Sequence, residues 1–207
     1  MLLTSRQEQI ILGTLLGDSD LRMTTVRSRN ALFRNGHCDK DREYVFWKYK
    51  ELETTGLFRH IPKLTVRQFK DRTGFRTRWW FRSRSHSVFT ELHKLFYPNG
   101  KKIVPPEVLE KLGDLGLAVW YMDDGSLSLG RPGRPMVSLC TEGFSLEENC
   151  LVRDWFKSKY GLSFKFIERS LGAYRLRLSR RYEVYEFVDI VRPYIVPCME
   201  RKINFRK

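Results

Sequence analysis

Cysteine is scarce in this chain: Cys38, Cys140, Cys150 and Cys198 are the four it has. No two of them form a C-x-x-C pair or stand with histidine at zinc-ligand spacing, so the sequence gives no structural zinc site. Their scatter gives no disulfide framework either, and all four are expected as reduced thiols. Histidine is equally sparse. His37, His60, His86 and His93 form no HNH-type cluster and read as surface or packing residues. No apolar run reaches the roughly 18 residues of a membrane span, and Met1–Gln9 is too polar for a signal peptide. No basic amphipathic helix with one continuous apolar face argues for a membrane surface. No splicing segment flanks the sequence, so an intein is not expected. The expectation is a soluble intracellular protein, of a bacterial cytoplasm or an organelle such as a mitochondrion or chloroplast.

Acidic residues are the other shortfall. Asp and Glu total 24 against 38 Lys and Arg, a net charge of +14 over 207 residues. That excess favours a polyanionic partner, nucleic acid above all, over a basic surface that merely keeps the protein soluble. Hydrophobic residues make up 42% of the chain, enough for a packed core. The length fits one large domain or two small ones.

Two capping boxes punctuate the chain. Thr4-Ser5-Arg6-Gln7 opens a helix carrying Ile10, Ile11, Leu12, Leu15 and Leu16, and Ser145-Leu146-Glu147-Glu148 opens one ending at Gly161. After the first helix, Leu21 to Phe33 reads as two short strands around a turn at Ser28–Asn30. Asp39 can cap a helix over Lys40 to Glu53. Strands around Leu64–Lys70 and Thr77–Ser83 and a helix from His86 to Phe96 follow. Pro105-Pro106 starts a short helix and Leu115–Asp123 forms another. The order then recurs, with strands at Ser126–Leu129, Met136–Thr141, Ser163–Glu168 and Tyr174–Leu178 and a helix from Tyr182 to Val191. Residues 1–100 and 114–207 thus read as two copies of one plan, joined by a linker over 101–113. Echoes such as Phe46-Trp47-Lys48-Tyr49-Lys50 and Trp155-Phe156-Lys157-Ser158-Lys159 support a duplication. Trp47, Trp120, Trp155 and Phe156 are read as core residues rather than base-stacking ones.

Each half carries an apolar, small-residue helix that closes on an acid. These are Ile11-Leu12-Gly13-Thr14-Leu15-Leu16-Gly17-Asp18-Ser19 and Leu117-Ala118-Val119-Trp120-Tyr121-Met122-Asp123-Asp124-Gly125. A carboxylate at a helix C-terminus meets the negative end of the macrodipole, which disfavours it unless a cation is present. Gly13 and Gly17 lie on one helix face, and Ala118 leaves room on the second helix, so the two can pack closely with their acids side by side. Such adjacent acids repel, and one stays protonated, unless a divalent cation holds both.

The strand Arg76 to Arg84 alternates by charge. Arg76, Arg78, Trp80, Arg82 and Arg84 share one parity, and Thr77, Trp79, Phe81 and Ser83 the other. Four arginines on one face suit a duplex backbone, and arginine also reads guanine in the major groove. The alternative is an ordinary solvated face. Weaker basic patterns occur at Arg22, Arg27, Arg29 and Arg34, at Arg67 and Lys70, at Lys165, Arg175, Arg177 and Arg180, and in a loop with Arg131 and Arg134.

With these segments in view, the chain resembles the LAGLIDADG homing endonucleases, in the single-chain branch with two motifs, from about Glu8 to Lys202. Leu117–Gly125 is the nearer motif. The first has Gly17 where the pattern often has an acid or a small residue and Ser19 where it has glycine, but it keeps Asp18. The resemblance implies an α+β fold of two pseudo-twofold-related αββαββα halves, whose antiparallel sheets form a saddle over double-stranded DNA. It implies Mg²⁺ or Mn²⁺ held by Asp18 and Asp124, with help from the carbonyls of Gly17 and Asp123. A lysine after the last helix of each half is implied to act beside the acids: Lys102 and Lys202, with Lys101 and Arg201 as alternatives one residue away. The implied activity of the monomer is cleavage of both strands of a long asymmetric site, leaving 3′ overhangs. A second reading is an intron RNA maturase on the same scaffold, against which the presence of both acids argues without excluding dual function. A third, a DNA-binding regulator without activity, should have lost a motif acid or gained a helix-turn-helix.

Overall fold

The computed structural model describes residues 3–25, 27–68, 75–130 and 133–205, and of 67, 68, 75 and 76 only the backbone. Lys70 and Arg131 therefore lie outside the described residues, as do the side chains of Arg67 and Arg76.

The Thr4 capping box forms as expected. Thr4 Oγ1 accepts from the Gln7 amide at 3.2 Å and the Thr4 amide donates to Gln7 Oε1 at 3.0 Å. It starts α1 (Ser5–Leu16), every residue of which from Ile10 onward is buried. Its counterpart α5 (Asp114–Asp124) is buried from Gly116 to Met122. Helices apolar all round belong inside a protein, and these two pack on each other at its centre. A Cβ on Gly13 would stand 2.2 Å from the Gly116 carbonyl oxygen, so the helices touch backbone to backbone there. One turn on, a Cβ on Gly17 would stand 2.6 Å from Cβ of Asp123. The close approach is thus as expected, but its partner on the second helix is Gly116 and not Ala118. The helix begins at Asp114, a turn earlier than the apolar motif, and that brings Gly116 to the crossing.

Four-stranded antiparallel sheets flank the central helices. One contains β1 (Ser19–Met23), β2 (Ala31–Cys38), β3 (Lys63–Gln68) and β4 (Phe75–Arg82) in the order β1-β2-β4-β3. The other contains β5 (Gly125–Leu129), β6 (Pro135–Leu139), β7 (Lys165–Ser170) and β8 (Ala173–Leu178) in the matching order β5-β6-β8-β7. Between the strands lie α2 (Arg42–Glu53), α3 (Ser87–Phe96), α4 (Pro106–Lys111) and α6 (Leu146–Tyr160), and α7 (Arg181–Val191) follows the last of them. The second box, at Ser145, also forms, and Gly161 ends α6 in the left-handed conformation at φ 71°. Leu21, Ala31, Phe33 and Phe81 point to the helices and are buried. Trp120 and Phe156 are buried, and Trp47 and Trp155 pack against the core, as read from their spacing.

Two local expectations fail. β2 runs to Cys38 rather than ending near Phe33. Asn35-Gly36 looks like a turn, but both residues pair with β4, opposite Phe81 and Trp80. Gly36 is there for close approach: a Cβ would meet the Trp79 carbonyl at 2.5 Å. Nor does Asp39 cap α2. A 3₁₀ turn over Asp39–Asp41 precedes the helix, and the Asp39 carboxylate accepts instead from Trp79 Nε1 at 2.7 Å.

Gly13→Ala is expected to destabilise the protein by about 1–3 kcal/mol, the usual cost of overpacking where backbone cannot yield. Gly143→Ala, at a position open for 4 Å around, should stay within about 0.5 kcal/mol. Chemical denaturation of the two variants checks this.

Candidate active site

The C-terminal ends of α1 and α5 meet at the seam between the halves. Each leaves carbonyls without helical partners, and a lysine takes them up on each side. Lys102 Nζ donates to the carbonyls of Gly17 at 2.8 Å and Ser19 at 3.0 Å. Lys202 Nζ donates to those of Asp123 at 3.2 Å and Gly125 at 2.6 Å. The arrangement is the same in both halves, with each cation opposing the negative end of a helix. Neighbouring Lys101 is exposed, and Arg201 turns away to Asp41 Oδ1 at 2.5 Å. Burial lowers the pKa of both lysines, against the pull of the nearby acids.

Asp18 and Asp124 stand at equivalent places in unlike surroundings. Burial pushes Asp18 up, but a hydrogen bond from His37 and the charges of Lys48 and Lys202 outweigh it and hold the carboxyl below its ordinary value. Asp124 is pushed up to about 8, first by burial and then by the charges of Asp18 and Asp123. Two acids this crowded are the arrangement in which one keeps its proton unless a cation arrives. Oxygen donors from both carboxylates, beside carbonyls with a second lone pair free, suit a hard divalent ion. The residues present therefore fit one.

His37, read from sequence as a surface or packing residue, belongs to the site. It is 8% exposed, its Nδ1 lies 3.3 Å from Asp18 Oδ2 and its Nε2 3.5 Å from Asp123 Oδ1. These three side chains are spaced as a metal cluster, with donor atoms within 4.8 Å of one another. A cation of the chain itself already reaches two members of that cluster, Asp123 and His37. Lys48 Nζ stands 2.7 Å from Asp123 Oδ1, with both side chains at 0% exposure. The other Asp123 oxygen accepts from the Asp18 amide at 3.2 Å. Each oxygen of its carboxylate is thereby engaged by a donor of the chain itself. Removing one member of such a buried pair leaves a bare charge and costs about 3–5 kcal/mol. Lys48 and Asp123 belong to different halves, so their pair pins the seam. Gly17 makes it possible by leaving the space that Asp123 fills. Neither Lys48 nor His37 could be found by pattern, because their role arises only where two remote segments meet.

The open faces of the sheets carry the expected basic residues. Strand register puts Arg22, Arg34, Arg78 and Arg82 on the face of the first sheet away from the helices, with the backbone positions of Arg67 and Arg76 paired beside them. Arg78 and Arg82 are exposed, and Arg84 follows them in the same alternation, so the predicted parity is observed. Arg22 and Arg34 share Asp20, at 3.0 and 2.7 Å. Arg27 and Arg29 are exposed in the β1–β2 turn, and Arg134 in the β5–β6 loop. On the second sheet Lys165 is exposed and opposite Arg177. Arg175 is tied to Glu142 at 2.6 Å. Arg180 stands at the N-cap of α7 near Glu183, off the strand face.

The raised Asp124 value fixes a pH dependence. The folded value lies above the ordinary 3.8, so the folded protein binds the proton more tightly. This group therefore costs stability as pH rises from about 4 to about 8. In metal-free buffer, Asp124→Asn should melt higher than the native chain at pH 9, and the gap should shrink as pH falls toward 4.

Comparisons with known proteins agree with this geometry. A model of the LAGLIDADG DNA endonuclease family matches residues 8–182. The chain is 27% identical to the DNA endonuclease I-ChuI of Chlamydomonas applanata, over 99% of this chain and 97% of that protein. It is 30% identical to Protein RecA of Mycobacterium shimoidei over 98% of its own length, but spans only 47% of that protein, about half. The solved structure of the homing endonuclease I-WcaI bound to its DNA recognition sequence superposes with a TM-score of 0.88 at 22% identity, covering 99% of this chain and 88% of that one. The chain belongs to the LAGLIDADG DNA endonuclease family.

Proposed function

We propose that the protein is a site-specific endonuclease that hydrolyses both strands of a long, asymmetric DNA duplex and leaves 3′ overhangs. The supporting observation is the pair of acids at the seam, each with a lysine on the carbonyls flanking it, between two sheets whose open faces carry arginine. Asp18 and Asp124 would hold the divalent ions, with the carbonyls of Gly17 and Asp123 in reach. A bound divalent ion supplies Lewis-acid polarisation of the scissile phosphate and lowers the pKa of a water to be used as nucleophile. Lys102 and Lys202 keep the two helix ends fixed and place positive charge beside each acid, where it favours the extra negative charge of a phosphoryl transition state. Arg78, Arg82, Arg84 and Lys165 are exposed and would neutralise backbone phosphates. Arg22, Arg34 and Arg175 reach DNA with their own carboxylates attached, which orients them and lowers their net charge. Because the halves differ in sequence, a monomer would read two unlike half-sites.

Cleavage selection on a randomised duplex library with Mg²⁺ tests this and yields a target. Asp18→Asn and Asp124→Asn are each expected to lower cleavage of that target by at least about 10²-fold while duplex binding in Ca²⁺ persists. A double variant that still cuts at the native rate contradicts the assignment of the two acids.

A further inference from the structure

Twin positions at the seam hide unlike supports. β1 and β2 bring Ser19 opposite Asn35, while β5 and β6 bring Gly125 opposite Leu139. Two residues beyond these partners stand His37 and Thr141. Thr141 closes a local network. Its hydroxyl donates to Asn149 Oδ1 at 2.6 Å, and Asn149 Nδ2 returns to the carbonyls of Thr141 and Ser145 at 3.2 and 2.9 Å. Nothing in that network reaches Asp124, whose carboxylate makes no hydrogen bond or ion pair to a side chain among the described residues.

His37 is different. The Lys48 ammonium carries donors only, and it lies 3.3 Å from His37 Nε2. A neutral ring that accepts from Lys48 at Nε2 carries its proton on Nδ1; Asp123 Oδ1 stands farther off, 3.5 Å from the same nitrogen. Nδ1 faces Asp18 Oδ2 at 3.3 Å. Lys48 is itself held by Asp123 at 2.7 Å, and the Tyr44 ring backs the imidazole at 5.2 Å. A chain of contacts thus crosses the seam, from Asp123 through Lys48 and His37 to Asp18, and each member fixes the next. Among its described residues the second half contains no such chain. A carboxylate with an assigned donor has less orientation to lose when it takes up a cation.

We infer that His37 is a positioning residue for Asp18, set in its tautomer by Lys48, and that it makes the two centres unequal, so that the strand served by Asp18 is cut faster. This rests on the endonuclease reading given above. His37→Ala is expected to slow cleavage of one strand by about 10–100-fold, the usual effect of losing a group that orients a metal ligand, and to leave the other nearly unchanged. Nicked duplex then accumulates on the opposite strand from the native protein's early nicks. His37→Gln keeps an acceptor toward Lys48 and a donor toward Asp18, and should restore the native pattern. Thr141→Val should shift neither strand.

The cleavage arm uses a duplex recovered by the selection, with the two strands labelled differently, in single-turnover reactions. A binding arm needs no cleavage. Tb³⁺ luminescence is titrated in an Asp124→Asn background, which leaves the Asp18 centre. There His37→Ala should weaken Tb³⁺ about 10–100-fold and His37→Gln should recover it. Equal slowing of both strands, or unchanged Tb³⁺ affinity in His37→Ala, overturns the inference. Native protein that binds Tb³⁺ but cuts no duplex overturns the endonuclease reading and the strand bias with it, while the Tb³⁺ arm still decides the positioning role. If His37→Ala fails to fold, His37→Gln and His37→Phe, which keeps a ring against Tyr44, decide: a native pattern in the first and one slowed strand in the second support the inference, and equal slowing of both strands in the second overturns it.

Discussion

The backbone contact between α1 and α5 is the constraint on which the rest of this molecule depends. Side chains larger than hydrogen at Gly13 or Gly116 would hold the helices apart, and the two acids at their ends would part with them. The same contact explains why the helices are apolar on every side. Each must bury one flank against its partner and the other against its own sheet. Because the helices end together, the unpaired carbonyls and the carboxylates of both halves fall into one small volume.

That volume is electrically unfavourable unless cations enter it, and the chain supplies three of its own. Lys102 and Lys202 neutralise the helix ends in matched fashion. Lys48 neutralises Asp123, whereas Lys157, its counterpart in the sequence echo, bonds the Gly161 carbonyl and Ser163 instead. The duplicated fold therefore has a symmetric outer layer and an asymmetric centre. Gly17 and Asp123 are equivalent in the repeat, and only one of the two positions can carry a side chain, since the two occupy the same space across the seam. Asymmetry at the centre is thus a packing consequence of bringing the helices together. Asp124 is the acid that the protein's own cations leave least balanced, and it is there, together with Asp18, that we propose a divalent ion is held.

Much of this was legible in the sequence, for identifiable reasons. Caps, turns and alternating strands are local, so Thr4, Ser145 and the Arg78–Trp80–Arg82 parity could be read directly. The acids could be read because a carboxylate at a helix C-terminus is an anomaly that needs an explanation. Lys102 and Lys202 came from resemblance, and the structure places both on the motif carbonyls. Where the reading stopped, long-range contact had overridden local preference. The strand expected to end near Phe33 runs on through Asn35-Gly36 because β4 lies against it. Asp39 has capping chemistry but serves Trp79. His37 carries no motif, and Lys48 lies in a repeat echo that does not signal this role. A lysine on an amphipathic helix reads as solvent-facing, and only the Asp123 carboxylate arriving from the other half makes its burial tolerable.

The most direct test of the account is the position of the ions. Crystals of the protein with its selected duplex and Mn²⁺ should give anomalous peaks about 2.1 Å from carboxylate oxygens of Asp18 and Asp124, near the distance for a small divalent ion, with Lys48 still on Asp123. A peak on the Asp123 carboxylate with Lys48 displaced, or no peak at the seam, would contradict it.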